Sequence, residues 1–343
     1  MTDPSSPGEP KPCPGIQRRR LDRTVQIAAW LYLAASVLFW LFLEVAGDRW
    51  WGATLIMFGP RWLWALPLGL LLPLAVAFNR RALWFLGCSI VVVVGPIMGL
   101  CINVPQSQST GPGLHLRVLT NNTQGERLDL QAMASLIGKT HPDIVTFQEW
   151  LPGRPVTIFD DHWNVILDAD FVLASRFPIR TVRVSFDQHA AQRRGATVAY
   201  DVQTPDKTIR FFSVHLTSPH AVFRNALELK RHGRAQVTYN SKARGEEAAD
   251  LRQQADAFDG PLLLAGDFNL PSDSTIFRKY FSSFTDSFST AGFGFGWTYY
   301  ERWTVTRIDH ILAGPGWTCQ RCWIGPADGS DHRPLIADLS WLP

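Results

Sequence analysis

Residues Leu262–Ser274 read LLLAGDFNLPSDS. An apolar run that meets glycine and then Asp267, Phe268, Asn269 and Pro271 is the pattern of a buried strand that stops at a rim. Side chains alternate along a strand, so Asp267 and Asn269 fall on one side and Phe268 on the other. A carboxylate and a carboxamide delivered together suit the holding of a water beside a phosphoryl oxygen. Alone, the same pair also starts ordinary turns.

Working outward, other strand-like runs end in the same way. LRVLTNNT closes on Asn121 and Asn122, DIVTFQEW on Gln148 and Glu149, and RFFSVHLTS carries His215 after an apolar run. RIDHIL sets Asp309 between apolar neighbours, and GSDHRPL brings Asp331 and His332 ahead of a last strand. Each has an ordinary explanation taken singly: a salt bridge for Glu149, a core histidine for His215, an acceptor of backbone hydrogen bonds for Asp309. Such groups are costly to bury unpaired, and so many strand ends carrying them imply that they converge.

The residue types fit metal-assisted phosphoester hydrolysis. Mg²⁺ takes oxygen ligands, one or two carboxylates among them, and Glu149 and Asp331 can supply these. Such an ion polarises a phosphoryl oxygen and stabilises a leaving alkoxide. Asp267 is placed to orient or deprotonate a water, and Asn122 and Asn269 carry amide donors for non-bridging oxygens. His332 is a proton donor or cationic stabiliser whose ring Asp309 fixes. Neither a G-x-S-x-G nucleophile elbow nor a P-loop occurs.

From Leu116 to Leu339 the chain resembles the endonuclease/exonuclease/phosphatase superfamily, the fold of DNase I. The matching segments are VLTNNTQG, PDIVTFQEW, VLASRFPI, FFSVHLTS, LLLAGDFNLPSDS, RIDHIL and GSDHRPL, in the family's order. The resemblance implies an α/β (α+β) four-layer sandwich, two mixed β-sheets flanked by helices, with the site at one rim and Mg²⁺ (or Mn²⁺) as cofactor. It implies Asp267 as base, Asn269 as its amide partner, His332 as the catalytic histidine with Asp309 as its pair, and His215 on the scissile phosphate. It also implies Asn122 on metal or phosphate, Glu149 as metal ligand and Asp331 as a second acid near the metal. The family's first motif has an aromatic residue before its Asn; here Asn121 stands there, and the register selects Asn122.

The remainder differs in composition. Residues 1–23 form a tail rich in proline, serine and charge, expected to be disordered and closing on Arg18, Arg19, Arg20 and Arg23. Three apolar runs follow in residues 24–104: Thr24–Ala46, Leu63–Phe78 and Ala82–Val104, the last with Gly95 and Pro96 inside it. A run of about 20 such residues crosses the hydrocarbon of a bilayer. The runs read as three transmembrane helices, with interfacial aromatics such as Trp50, Trp51 and Trp62 between the first two. Residues 105–114 are a linker and 115–343 the catalytic domain, of ordinary single-domain size. Arginines at both the tail and Asn79–Arg81 favour a cytoplasmic N-terminus and an extracytoplasmic catalytic domain. Cysteines number five. Cys319 and Cys322 form a lone CxxC with no second pair, which argues against a zinc site.

A net charge of +3 is too small to indicate nucleic acid. Three helices before this domain resemble membrane-bound bacterial members, teicoplanin-resistance proteins among them, and imply the lipid bilayer as partner and a lipid-linked phosphate or pyrophosphate as substrate. DNA is the alternative: His220–Arg244 holds Arg224, Lys230, Arg231, Arg234, Lys242 and Arg244, which suit a phosphate backbone, anionic lipid or plain solvent. A non-catalytic membrane receptor or scaffold on the same fold would have lost an acid or the histidine, and none is lost. The orientation is testable. A C-terminal reporter that works only outside the cytoplasm should be active, and activity of a cytoplasm-only reporter would reverse it.

Overall fold

A computed structural model of the protein describes residues 14–104, 113–186, 195–228, 230 and 232–341. The described residues form two compact units: those of Met1–Leu41 with Trp62–Met98, and Phe42–Arg61 with everything from Gly99.

Among the described residues of the second unit lie two six-stranded mixed sheets. In one, Leu114–Asn122 runs parallel to Ile144–Gln148 and antiparallel to Leu335–Trp341. In the other, Thr208–His215 runs parallel to Leu262–Asp267, which pairs antiparallel with Asp309–Ala313. The central strands are buried throughout. That is why they read as continuous apolar runs rather than alternating ones.

Alternation still decides where each side chain goes. Leu116, Val118, Phe211, Leu263, Ala265, Ile311, Leu335 and Ala337 belong to one core between the sheets. The intervening residues Phe212, Val214, Leu262, Leu264 and Leu312 pack outward with Phe268, Phe277 and the helix Gly233–Asp256. On the other sheet, Leu119, Val145, Phe147 and Ile336 pack outward with the helix Leu130–Thr140. The result is a helix-flanked mixed-sheet fold. Asp129 caps Leu130–Thr140 by accepting from the amides of Gln131 and Ala132.

Counting in twos from the inner core, Asn122, His215, Asp267 and Asp309 all face the space between the sheets. The parallel strands put their last residues at one rim; the antiparallel neighbours put their first residues there. His215 sits opposite Asp267, and Asp309 is opposite Asp267 on its other side.

The N-terminal part departs from the sequence expectation in three ways. The first helix begins at Pro14 and runs to Ala46, so residues 14–23 of the expected tail are helical; residues 1–13 lie outside the described residues, as do 105–112 of the linker. Among the described residues two helices are long and apolar enough to cross a membrane by length and composition, Arg18–Arg49 and Arg61–Phe78. The third apolar stretch is shorter: Ala82–Val92 continues as a π-helical turn, Val93–Ile97, around Pro96, and Cys101–Ile102 is a strand paired with Phe293–Gly294. A proline has no amide proton for the helical ladder, and the widened turn accommodates it. Phe42–Arg61, counted in the sequence with the anchor, groups instead with the catalytic unit.

Gly266 has φ +146°, and a Cβ there would lie 2.0 Å from the Val214 carbonyl oxygen. The close approach sets the strand beside Thr208–His215 just before Asp267. Gly266→Ala should therefore cost on the order of 3 kcal/mol or more, read as a lowered denaturation midpoint of the full-length protein.

Candidate active site

The rim gathers Asn122, Glu149, His215, Asp267, Asn269, Asp309, Asp331 and His332. Asn122 Nδ2 donates to Asp267 Oδ2 at 3.0 Å and to Glu149 Oε1 at 3.4 Å. Asn269 donates twice to Asp267: its amide N to Oδ1 at 2.8 Å and its Nδ2 to Oδ2 at 3.2 Å. The same Nδ2 also donates to the Leu216 carbonyl at 2.8 Å, which fixes the carboxamide. His215 Nε2 lies 3.4 Å from Glu149 Oε1 and 3.9 Å from Asp267 Oδ2. His332 Nδ1 is 2.8 Å from Asp309 Oδ2, and its Nε2 faces Asp267 Oδ2 at 3.7 Å and Asp331 Oδ1 at 4.0 Å.

Between the two asparagines of the first motif, the strand's alternation decides. Asn122 faces the rim, whereas Asn121 Nδ2 donates to Asp328 Oδ2 at 2.6 Å.

Two loops hold the catalytic segments against the strand ends. Ser330 Oγ donates to the Asn122 carbonyl at 2.7 Å and accepts from the His332 amide at 3.0 Å, tying the GSDH segment to the first strand. Thr298 Oγ1 accepts from the amides of Ile308 and Asp309. Glu149, Asn269 and Gln124 have φ of 54°, 49° and 47°. A left-handed backbone is inexpensive for Asn and costs a Glu about 1 kcal/mol or more.

Some contributors were not legible as site residues. Gln124 Nε2 donates to Asp331 Oδ2 at 2.8 Å, holding that carboxylate; its place two residues after Asn122 was the available signal. Tyr299 packs its ring edge-on to His332 with centroids 5.1 Å apart, and His220 lies against Tyr299 at 4.3 Å. Neither falls in a recognisable motif. Conversely, the basic segment breaks up: Arg244 is fully buried, Lys230 pairs with Glu228, Lys242 pairs with Glu246, and Arg231 lies outside the described residues.

The electrostatics follow from burial. Burial opposes a charge on His332, but Asp309 and then Asp267 outweigh it and raise its pKa to about 10. Burial raises Asp267, with His332 opposing and Asp309 adding to the rise. Burial likewise raises Asp331; His332 lowers it and Glu149 pushes it up again. Carboxylates that raise one another make a place where a cation is stabilised. Ligand atoms of Asp267, Asp309 and His332 lie within 4.8 Å of one another, and Asp309 Oδ1 has no hydrogen-bond partner. The cluster can therefore hold a divalent metal.

A sequence model described as the Endonuclease/Exonuclease/phosphatase family matches residues 118–332. Comparison with curated proteins gives no match. Among solved structures, an endonuclease/exonuclease/phosphatase family protein from Bacteroides thetaiotaomicron is 15% identical, with TM-score 0.52 over 68% of this chain and 100% of that one. The 3′-5′ exonuclease NExo from Neisseria meningitidis is 18% identical, with TM-score 0.50 over 66% and 100%. A point variant of NExo, described as a 3′ phosphatase, has also been solved bound to product DNA hairpin, with the same identity, coverage and TM-score. At these identities the likeness concerns the fold.

The His332 shift sets a pH dependence in metal-free protein. Its folded pKa, about 10, lies above the ordinary 6.5. The stability from the His332–Asp309 pair is therefore fully present below pH about 6.5, shrinks as pH rises, and is gone above about 10. In EDTA-treated protein the His332 ring should still carry both protons at pH 8 by NMR, and that stability difference should vanish in His332→Gln.

Proposed function

The chain belongs to the endonuclease/exonuclease/phosphatase family and is a metal-dependent phosphoesterase, and from that premise we propose that it cleaves its substrate at a membrane, with Mg²⁺ as the working cation and Mn²⁺ able to replace it. The observation that carries the reading is the buried carboxylate of Asp267, shared by Asn122 and Asn269 and faced by His215 and His332.

The roles follow from what each atom can do. Asp267 Oδ2 accepts the proton of the attacking water while the two amides hold it in place. His332, kept cationic by Asp309, donates from Nε2 to the phosphoryl oxygens as charge grows on them. His215 and Asn269 contact the same phosphate. Glu149, Asp331 and Asn122 hold the cation, with Gln124 steadying Asp331. When bound there, the cation neutralises the phosphate and stabilises the leaving oxygen.

Membrane attachment is supported by the two long apolar helices and by the large apolar side chains that the first unit leaves exposed, such as Leu31, Leu38, Leu70 and Trp84. An outward-facing catalytic unit further requires the third apolar stretch to cross.

Two substrate readings each have their support. A nucleic acid is favoured by the fold likeness to NExo, whose solved forms include one with a DNA hairpin product. A lipid-linked phosphate or pyrophosphate is favoured by the apolar helices, which keep the site near a surface where such substrates are concentrated.

Purified full-length protein in detergent with Mg²⁺ should hydrolyse bis-p-nitrophenyl phosphate or p-nitrophenyl phosphate. Asp267→Ala and His332→Ala should each lower kcat by about 10²–10⁴; unchanged turnover in both would overturn the reading. Duplex DNA, a 3′-phosphorylated oligonucleotide, phospholipid and a polyprenyl pyrophosphate, offered side by side, separate the two substrates. Release from the DNA substrates alone selects the nuclease reading, and release from lipid alone selects the other.

A further inference from the structure

Ties within the catalytic unit join Phe42–Arg61 to a short stretch of chain just beyond the site. Arg61 forks onto the Asp273 carboxylate, Nη1 to Oδ2 at 2.8 Å and Nη2 to Oδ1 at 3.0 Å, while its Nε donates to the Met57 carbonyl at 2.8 Å. Asp48 Oδ2 accepts from Ser274 Oγ at 2.6 Å and from Thr275 Oγ1 at 3.3 Å. Its other oxygen lies 3.7 Å from Arg244 Nη2, with both side chains buried. Glu44 pairs with Arg278.

Asp273, Ser274 and Arg278 follow directly on the loop Phe268–Ser272 that leaves Asp267. The near end of that loop is anchored by the Asn269 carboxamide on Leu216 and by His310 Nε2 on the Leu270 carbonyl. Its last residue, Ser272, accepts at Oγ from Arg307 Nη2. The residues that follow, Asp273 and Ser274, are held by Arg61 and Asp48. A bidentate arginine fixes an orientation as well as a distance. A buried Asp–Arg pair does not slide, because each partner left alone would be an unpaired buried charge.

We propose that Phe42–Arg61, the stretch between the two long apolar helices, positions the active-site loop, with Arg61 and Asp48 as positioning residues that act through Asp273 and Ser274 on Asp267 and Asn269. The catalytic unit therefore does not begin after the last apolar stretch. It includes a segment that lies between the membrane-type helices in the sequence and is tied beside the loop by one ion pair, Arg61–Asp273, and by the hydrogen bonds that Asp48 accepts. The activity arm of the test rests on the phosphoesterase reading; the exchange arm does not.

The test uses full-length protein in detergent, comparing wild type, Arg61→Ala, Arg61→Lys and the exchanged pair Arg61→Asp with Asp273→Arg. Arg61→Ala should lower kcat about tenfold or more with KM within about twofold. Amide exchange in residues 266–274 should quicken, while the strand 208–215 stays protected. Arg61→Lys should fall between, and the exchanged pair should recover kcat and protection. Unchanged kcat and exchange in Arg61→Ala, or a loosening spread equally over 208–215, overturns the proposal. If wild type hydrolyses none of the phosphoesters, the functional reading fails and the exchange comparison alone decides this one.

Discussion

A carboxylate at 1% exposure, Asp267, is the constraint that the rest of the catalytic unit answers to. An ionised acid so far from solvent is tolerable only with donors on its oxygens and positive charge nearby. Asn122 and His332 arrive with one sheet, while Asn269, His215 and Asp309 belong to the other side of the rim. No local sequence pattern could assemble that set. It needs two sheets whose parallel strands end together, and a core between them that sets both to the same height. The apolar layer of Leu116, Val118, Phe211, Leu263 and Ile311 does this, and the polar rim continues the same alternation by one more step.

Much of this was readable from residues alone because the decisive rule is period two. The run LLLAGDFN identifies a strand, its end and the side Asp267 takes, and the same count on LRVLTNNT separates Asn122 from Asn121. The sequence could not give contacts that cross long stretches without a periodic signature. Asp48 and Arg61 meet Ser274 and Asp273 across 226 and 212 positions, and their surroundings look like a membrane border, so they were counted with the anchor. Arg244 looked like one more surface cation because charge patterns record composition and not burial. The helix beginning at Pro14 was missed because a charged, proline-flanked stretch is a poor helix former, yet it continues directly into an apolar helix that supplies the nucleus.

The polar interior extends below the site. Thr146 Oγ1 and Ser213 Oγ hydrogen-bond across the sheets, and Gln148 Nε2 reaches both at 3.3 Å. Thr146 and Ser213 sit one alternation step behind the rim, and Gln148 lies opposite Asn122 in the register. They match one another's buried dipoles in a small hydrogen-bonded layer just inside the rim. The polar character of the rim is thus continued inward into the fold.

Glu149 illustrates what such a site asks of its chain. Its left-handed backbone suits asparagine or glycine better than a long acid, and the bonds from Thr123 Oγ1 and the Gly125 amide to its carbonyl hold it there. Exchanging Glu149 for glycine would relax the backbone and make a more robust protein, and it would remove the oxygen that faces His215. Searches for heat-resistant variants will tend to converge on this position, and such winners would have gained endurance by giving up their chemistry.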